Sequence, residues 1–335
     1  MPGCVDNNCI VRSTYYYIFT PILIASNLGL LIMKDGILII GSSNTDMVIQ
    51  TDHLPLPGET ILGGTFFMAA GGKGANQAVA AARLGGAVTF ICKTGNDIFG
   101  NQARTLFEQE GINIAHLLTD ATLPSGIALI MVDKQAENCI AVASGANAAL
   151  TTADLQNIDA LMDTATILLM QLEIPLETVQ YIASKAFSKG IPVMLNPAPA
   201  RTLTNELLQC IPIITPNETE AEILTGIKVT DIASAQLAAY KLYEKGIPTV
   251  IITLGSNGAL VLHNKTFTHV PTIAVKAVDT TAAGDVFNGA LAVALSHGKE
   301  VVDAASFACK AASISVTRLG AQASAPYKHE IEGLL

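Results

Sequence analysis

In AVDTTAAGDVFNGALAVAL (277–295), Asp285 follows the small-residue run Ala282-Ala283-Gly284 and precedes an apolar helical stretch. A helix start offers free N–H groups and the positive end of the peptide dipoles, which together suit an anion. Alanine and glycine let a phosphate come close to that backbone. A carboxylate beside the phosphate can take the proton of an attacking hydroxyl, and phosphoryl transfer needs little beyond positioning and charge stabilisation. Aspartate in this place also serves as a plain helix cap, and the local sequence does not choose between the two roles.

A second cluster lies in MAAGGKGANQAVAAARLGG (68–86), where Lys73 stands between Gly72 and Gly74. The stretch lacks the leading glycine and the Ser/Thr after lysine of a P-loop. Gln77 spoils the G-x-G-x-x-G pattern of a dinucleotide site. Asn44 and Asp46 in GSSNTDMV (41–48), and Glu173 in MQLEIP (170–175), follow apolar runs that read as strands. Open α/β sheets bind ligands just beyond such strand ends. Asparagine and carboxylates exchange hydrogen bonds with hydroxyls, so the joint picture is a polyol held by Asn44, Asp46, Gly72, Lys73, Asn76 and Glu173. A phosphoryl donor would then lie on the C-terminal side. Two further segments are ambiguous. TLGSNGA (253–259), with Thr253, Gly255, Ser256 and Gly258, suits either a phosphate cradle or a tight turn. TPNETEAEIL (215–224) places Asn217, Glu218 and Glu220 at a helix start, which is ordinary helix chemistry or, near a nucleotide, a water-mediated Mg²⁺ site.

These residues need a scaffold, and the sequence describes one. ILII (37–40), AVTFIC (87–92), TILLMQ (166–171), IPVMLN (191–196), IPIITP (211–216) and TVIITLG (249–255) are near-continuous apolar runs, as expected of parallel strands covered on both faces. Helical patterns at Phe99–Glu110, Leu176–Lys189, Glu218–Leu224 and Ala233–Lys245 alternate with them. The alternation predicts an α/β fold, a doubly wound, mainly parallel sheet flanked by helices. Met47–Phe67, Gly126–Val132 and Cys139–Ala143 break the pattern with short strand-like runs. They predict a small β-sheet, built from about 47–67 and 126–143, either a lid over a ligand or an antiparallel extension of the edge.

The chain has 335 residues, 50% of them hydrophobic and 14% charged, with a formal net charge of −9. Such a chain buries a large core, and without a basic stripe it is no nucleic-acid binder. The six cysteines, Cys4, Cys9, Cys92, Cys139, Cys210 and Cys309, form no metal or disulfide pattern and read as reduced cytoplasmic thiols. Residues 1–35 differ in character. The uncharged stretch 15–33 approaches the length of a membrane span, or of a signal peptide behind Arg12. The favoured reading is an extension, either disordered or upstream of a true start at Met33. A catalytic domain would then occupy 36–335, with no membrane partner unless 15–33 is an anchor.

From Ile37 to Leu335 the chain resembles the ribokinases of the PfkB carbohydrate kinase family. The resemblance rests on AAGGKGANQAVAAARLG and DTTAAGDVFNGALAVAL, supported by LLMQLE, LNPAPAR, TPNETEAE, ITLGSNG and TRLGAQAS. It implies transfer of phosphate from MgATP to the 5-hydroxyl of D-ribose, with Asp285 as general base and Ala282, Ala283 and Gly284 as an anion hole. The sugar site would be Asn44, Asp46, Gly72, Lys73, Asn76, Glu173 and Asp285. ATP would meet Asn217, Thr253, Gly255, Ser256, Gly258, Gly284 and, weakly, Cys309. Glu220 would help to hold Mg²⁺. An activating K⁺ would sit beside Asp279, Thr281, Ser315, Arg318, Gly320 and Ser324, largely on backbone carbonyls. The resemblance also implies a homodimer formed through the β lid. A kinase for deoxyribose, fructose or adenosine, and a catalytically silent sugar-binding protein, are the competing readings.

Overall fold

The computed structural model describes residues 36–135 and 137–332; the expectations for 1–35 lie outside the described residues. In chain order the first strands are β1 (Gly36–Ile40), β2 (Asn44–Gln50), β3 (Thr65–Gly71), β4 (Ala87–Ile91), β5 (Lys93–Gly95), β6 (Leu118–Asp120), β7 (Gly126–Val132) and β8 (Asn138–Ala143). They are followed by β9 (Ala165–Met170), β10 (Val193–Leu195), β11 (Ile213–Ile214), β12 (Thr249–Thr253), β13 (Ala259–His263) and β14 (Thr266–Val270). The helices are α1 (Lys73–Arg83), α2 (Ile98–Gln109), α3 (Asp159–Thr164), α4 (Leu176–Ser188), α5 (Asn205–Leu208), α6 (Glu218–Thr225), α7 (Ile232–Glu244), α8 (Ala283–Ser296), α9 (Val301–Ser315) and α10 (Lys328–Glu332).

The main sheet has eight strands in the order β14-β13-β12-β11-β10-β9-β1-β4. The six apolar runs singled out in the sequence are its six parallel members, and β13 and β14 add an antiparallel edge. Side chains alternate between faces along each strand. Ile37 and Ile39 join a core with helices α1, α2, α8 and α9, while Leu38 and Ile40 join one with α3 to α7. Both faces are therefore apolar, which is why the strands read as continuous hydrophobic runs.

From β1 the chain moves outward to β4, then returns to β9 on the other side of β1 and continues to β10, β11 and β12. The order reverses between β1 and β9, so a crevice opens at their carboxyl ends. Asn44 lies just after β1 and Glu173 just after β9, on the two sides of that crevice.

A separate four-stranded sheet has the order β3-β2-β7-β8. Strand β2 pairs antiparallel with β3 and parallel with β7, and β7 pairs antiparallel with β8. Residues 51–64 form no strand, so the sheet uses less of the segment after Gln50 than the alternation suggested and extends to Gly71 instead. Among the described residues no helix is long and apolar enough to cross a membrane.

Candidate active site

Helix α8 carries Asp285 in its first turn, and α1 carries Asn76 and Gln77 opposite. Asn76 Nδ2 donates to Asp285 Oδ2 at 2.8 Å, and Gln77 Nε2 donates to Oδ1 at 2.9 Å. The two helices come this close because Gly289 faces α1, where a Cβ would lie 2.8 Å from Ala80 Cβ. Asp285 is 6% exposed. Burial pushes its carboxyl upward, against the pull of the Lys73 ammonium and the two amide donors, and the Glu173 charge adds to the rise. The result is an oriented carboxylate with a raised affinity for a proton, suited to a general base.

Beside it the chain enters α8 through Ala282, whose φ of 59° is left-handed, a conformation unfavourable for a residue with a Cβ. The Ala283 N–H turns back to the Thr280 carbonyl. The N–H groups of Gly284 and Asp285 have no acceptor among the described residues. Ala282, Ala283, Gly284 and Asp285 line one cavity together with Lys73, Asn217, Glu220 and Thr253. Two unpaired N–H groups at the positive end of a 14-residue helix form a place for an anion.

On the other side lie the residues suited to hydroxyls. Asp46 stands on β2 within the field of Glu173, Asp285 and Lys73. Burial, then repulsion from Glu173 and Asp285, raises its carboxyl to about 6 despite Lys73. Lys73 opens α1, and its N–H donates to Glu173 Oε2 at 3.1 Å. The same carboxylate oxygen accepts the Ser42 hydroxyl at 2.5 Å. Burial draws the Lys73 ammonium down, but Asp285, Glu173, Glu220 and Asp46 outweigh it and hold the group charged. Gly72 precedes it at φ 89°, a backbone state that glycine takes without strain. Asn44, Asp46, Gly72, Lys73, Asn76, Glu173 and Asp285 thus gather at the crevice between β1 and β9.

The residues proposed for a nucleotide are more scattered. Asn217 and Glu220 form a reciprocal helix cap on α6: Asn217 Oδ1 accepts the Glu220 N–H, and Glu220 Oε2 accepts the Asn217 N–H. Both line the cavity, as does Thr253. Gly255, Ser256 and Gly258 form the turn from β12 to β13 and stand outside the cavity wall. Cys309 is 3% exposed within the core, burial pushes its thiol up to about 12, and it does not line the cavity.

Of the proposed cation residues, Thr281 and Gly320 meet the Asp279 carboxylate through their backbone N–H groups. Asp279 Oδ1 accepts the Thr281 N–H and Oδ2 the Gly320 N–H, joining the loop before α8 to the loop after α9. These bonds hold the carboxyl below its usual range against the effect of burial. The Ser315 and Ser324 hydroxyls donate to nearby carbonyls, and Arg318 pairs with Glu330. Among the described residues no cluster of three or more His, Cys, Asp or Glu forms a metal cage. One carboxylate among carbonyl and hydroxyl oxygens suits a monovalent cation. Glu220, the carboxylate besides Asp285 that lines the cavity, suits a Mg²⁺ that keeps its waters and phosphate ligands.

A buried amide network was not read from the sequence. Gln171 Nε2 donates to Gln77 Oε1, and Gln77 Nε2 donates to Asn196 Oδ1 at 3.0 Å as well as to Asp285. Asn196 Nδ2 reaches the Thr215 carbonyl, the Thr215 hydroxyl donates to Asn288 Oδ1, and Asn288 Nδ2 donates to the Gly284 carbonyl. The chain of bonds runs from the base back to the helix turn that presents the free N–H groups. Its signal was present: Gln171, Asn196 and Thr215 each follow an apolar strand directly.

A model of the pfkB family carbohydrate kinases matches residues 34–328. The chain belongs to the PfkB family of carbohydrate kinases. It is 47% identical over 298 residues to the ribokinase of Haemophilus influenzae, covering 89% of this chain and 97% of that protein. Among solved structures, the ribokinase of Thermotoga maritima matches with a TM-score of 0.81 at 42% identity, over 89% of this chain and 98% of that one. The Arabidopsis thaliana ribokinase, solved in complex with ribose and ATP, matches with a TM-score of 0.83 at 32% identity, over 90% and 99%.

Proposed function

We propose that this chain is an ATP-dependent ribokinase, a sugar kinase that converts D-ribose to D-ribose 5-phosphate in ribose catabolism. The observation that carries this reading is the juxtaposition at Asp285: a fixed carboxylate, a hydroxyl-binding crevice on one side and unpaired helix N–H groups on the other.

Ribose lies against Asn44, Asp46, Gly72, Lys73, Asn76 and Glu173, with its 5-hydroxyl toward Asp285. ATP lies along Asn217, Thr253 and the start of α8. The free Asp285 lone pairs accept the hydroxyl proton as O5 forms its bond to the γ-phosphorus. The bond from that phosphorus to the β–γ bridging oxygen breaks, and ADP leaves with its electron pair. The N–H groups of Gly284 and Asp285, and the Lys73 ammonium, stabilise charge on the transferring group. Gln77 and Asn76 keep the base in place throughout. Glu220 would hold Mg²⁺ through water, and the metal supplies charge neutralisation on the phosphates. Asp279, Thr281, Ser315, Arg318, Gly320 and Ser324 would hold K⁺, mostly through main-chain carbonyls.

The small sheet acts as a lid and as a dimer contact. In its register Met47, Ile49, Phe66, Met68, Leu129, Met131 and Cys139 share one face, opposite the face that carries Asp46. Phe66, Met68 and Leu129 are 57%, 50% and 57% exposed. A second copy of this chain covers such a face in a homodimer. Four free cysteines among the described residues and the use of ATP support a cytoplasmic location.

The test is ADP release with MgATP and K⁺ across D-ribose, 2-deoxyribose, fructose and adenosine. A strong preference for ribose is expected. Preference for another acceptor would reassign the substrate, and no turnover by folded protein would overturn the reading.

A further inference from the structure

Asn147 lies outside the cavity wall and outside every motif discussed above, yet it is 1% exposed and uses its whole amide. It sits in the turn Gly145–Ala149 that leaves β8. Its Oδ1 accepts the Ser43 N–H at 2.9 Å, and its Nδ2 donates to the Ser43 carbonyl at 3.0 Å and to Asn44 Oδ1 at 2.7 Å. The orientation of this amide is not free. A backbone N–H can only donate and a backbone carbonyl can only accept, so Ser43 dictates which end of Asn147 is oxygen and which is nitrogen. The second hydrogen of Asn147 Nδ2 then dictates that Asn44 turns its oxygen inward. The Asn44 nitrogen has no acceptor among the described residues. We infer that Asn147 is a positioning residue for sugar recognition: it locks Asn44 so that Asn44 offers N–H, not carbonyl, to the substrate.

The consequence follows from hydroxyl chemistry. A sugar hydroxyl has one proton to give. Asp46, two residues along β2 and on the same face as Asn44, can only accept while ionised. A hydroxyl lying between the two gives its proton to Asp46 and must receive a hydrogen bond from its other neighbour. An Asn44 carbonyl there would oppose the hydroxyl oxygen. The arrangement also joins three crossings of the small sheet, since a side chain at Gly126 would run into Asn44 Oδ1 and Asn147 Nδ2. The root of the lid and the orientation of the sugar-binding amide are therefore set by one residue.

This inference rests on the reading that ribose lies against Asn44 and Asp46. The experiment is calorimetric binding of D-ribose and, separately, of ATP, to full-length wild type, Asn147→Ala and Asn147→Asp at pH 8, with thermal unfolding as a check of folding. Wild type that binds no ribose would sink the sugar reading itself, before any variant is considered. If wild type binds, Asn147→Ala releases the amide, and one hydrogen bond's worth of affinity, about three- to tenfold for ribose, is lost. Asn147→Asp keeps the shape but accepts from Asn44 and turns the Asn44 oxygen outward, so its loss is larger, on the order of tenfold or more. ATP affinity stays within about twofold in both. A residue that merely fills space would give the opposite order, with alanine the worse. Wild-type ribose affinity in Asn147→Asp, alanine worse than aspartate, or equal loss of both ligands would each overturn the inference. Should Asn147→Asp fail to fold, Asn44→Asp carries the test, because it keeps an acceptor for Asn147 and replaces only the outward donor. A loss on the order of tenfold is then expected, and retained ribose affinity would overturn it.

Discussion

At the scale of single residues the site is a problem in keeping charges apart. Asp46, Glu173, Glu220 and Asp285 surround Lys73, and burial makes ionisation costly for Asp46 and Asp285. A carboxyl raised to about 6 binds a proton more tightly in the fold than in the unfolded chain. Its stabilising effect is present at low pH and is lost as pH rises through that value. Asp46→Asn should therefore stabilise the ligand-free protein at pH 8, by on the order of 1–2 kcal/mol in chemical denaturation, while weakening ribose binding. An unchanged or lowered midpoint would contradict this. The same carboxyl sets a pH dependence of binding. As pH falls through about 6, Asp46 gains a proton and stops being a pure acceptor, so the KM for ribose should rise while the KM for ATP changes little. A flat ribose KM between pH 5 and 8 would count against Asp46 as a sugar ligand. At this scale the sequence made the carboxylates and Lys73 legible, because charged side chains at strand and helix ends are conspicuous in a chain with 14% charged residues. Gln77 was read only as the residue that spoils a dinucleotide fingerprint. Its work depends on Asn196, 119 positions away, and no local pattern contains that partner.

At the scale of elements the site is a junction of two helix ends. Helix α1 brings Asn76 and Gln77, α8 brings Asp285, and the contact at Gly289 sets their separation. Gly289→Ala would push a Cβ against Ala80 Cβ and the Gln77 carbonyl, both 2.8 Å away. A stability loss of about 1–3 kcal/mol is expected, together with a fall in kcat from the displaced base, measured by denaturation and steady-state kinetics. Wild-type values in both would show that the helices are not held apart by this contact. The apolar runs made the parallel strands legible, since strands covered on both faces have no polar alternation to confuse them. The helix Val301–Ser315 was not read, because it is apolar on most sides and buried against α8. The small sheet was read as strand-like, but its limits were not. Residues 51–64 carry turn formers among apolar residues and join no strand ladder beyond the Thr51 N–H bond to the Val132 carbonyl, while Ala69 and Ala70 continue β3 through pairing with β2 that no local pattern reveals.

At the scale of the whole molecule, the reversal of strand order between β1 and β9 places the crevice, and the small sheet rises from its edge at Ser43. Cys309, which the resemblance set weakly beside ATP, is buried in the core with residues of α8 and α9. The proposed contact through the apolar outer face of the small sheet predicts that wild type sediments as a dimer in analytical ultracentrifugation and that Met68→Glu or Leu129→Glu sediments as a monomer; a wild-type monomer would refute that contact. The central claim is that Asp285 takes the proton of the 5-hydroxyl, and its most direct test is single-turnover phosphorylation of D-ribose by Asp285→Asn, beside calorimetric ribose binding. The account predicts a rate lower by about 10²–10⁴-fold with ribose still bound. A variant that binds ribose and phosphorylates it at the wild-type rate would contradict it.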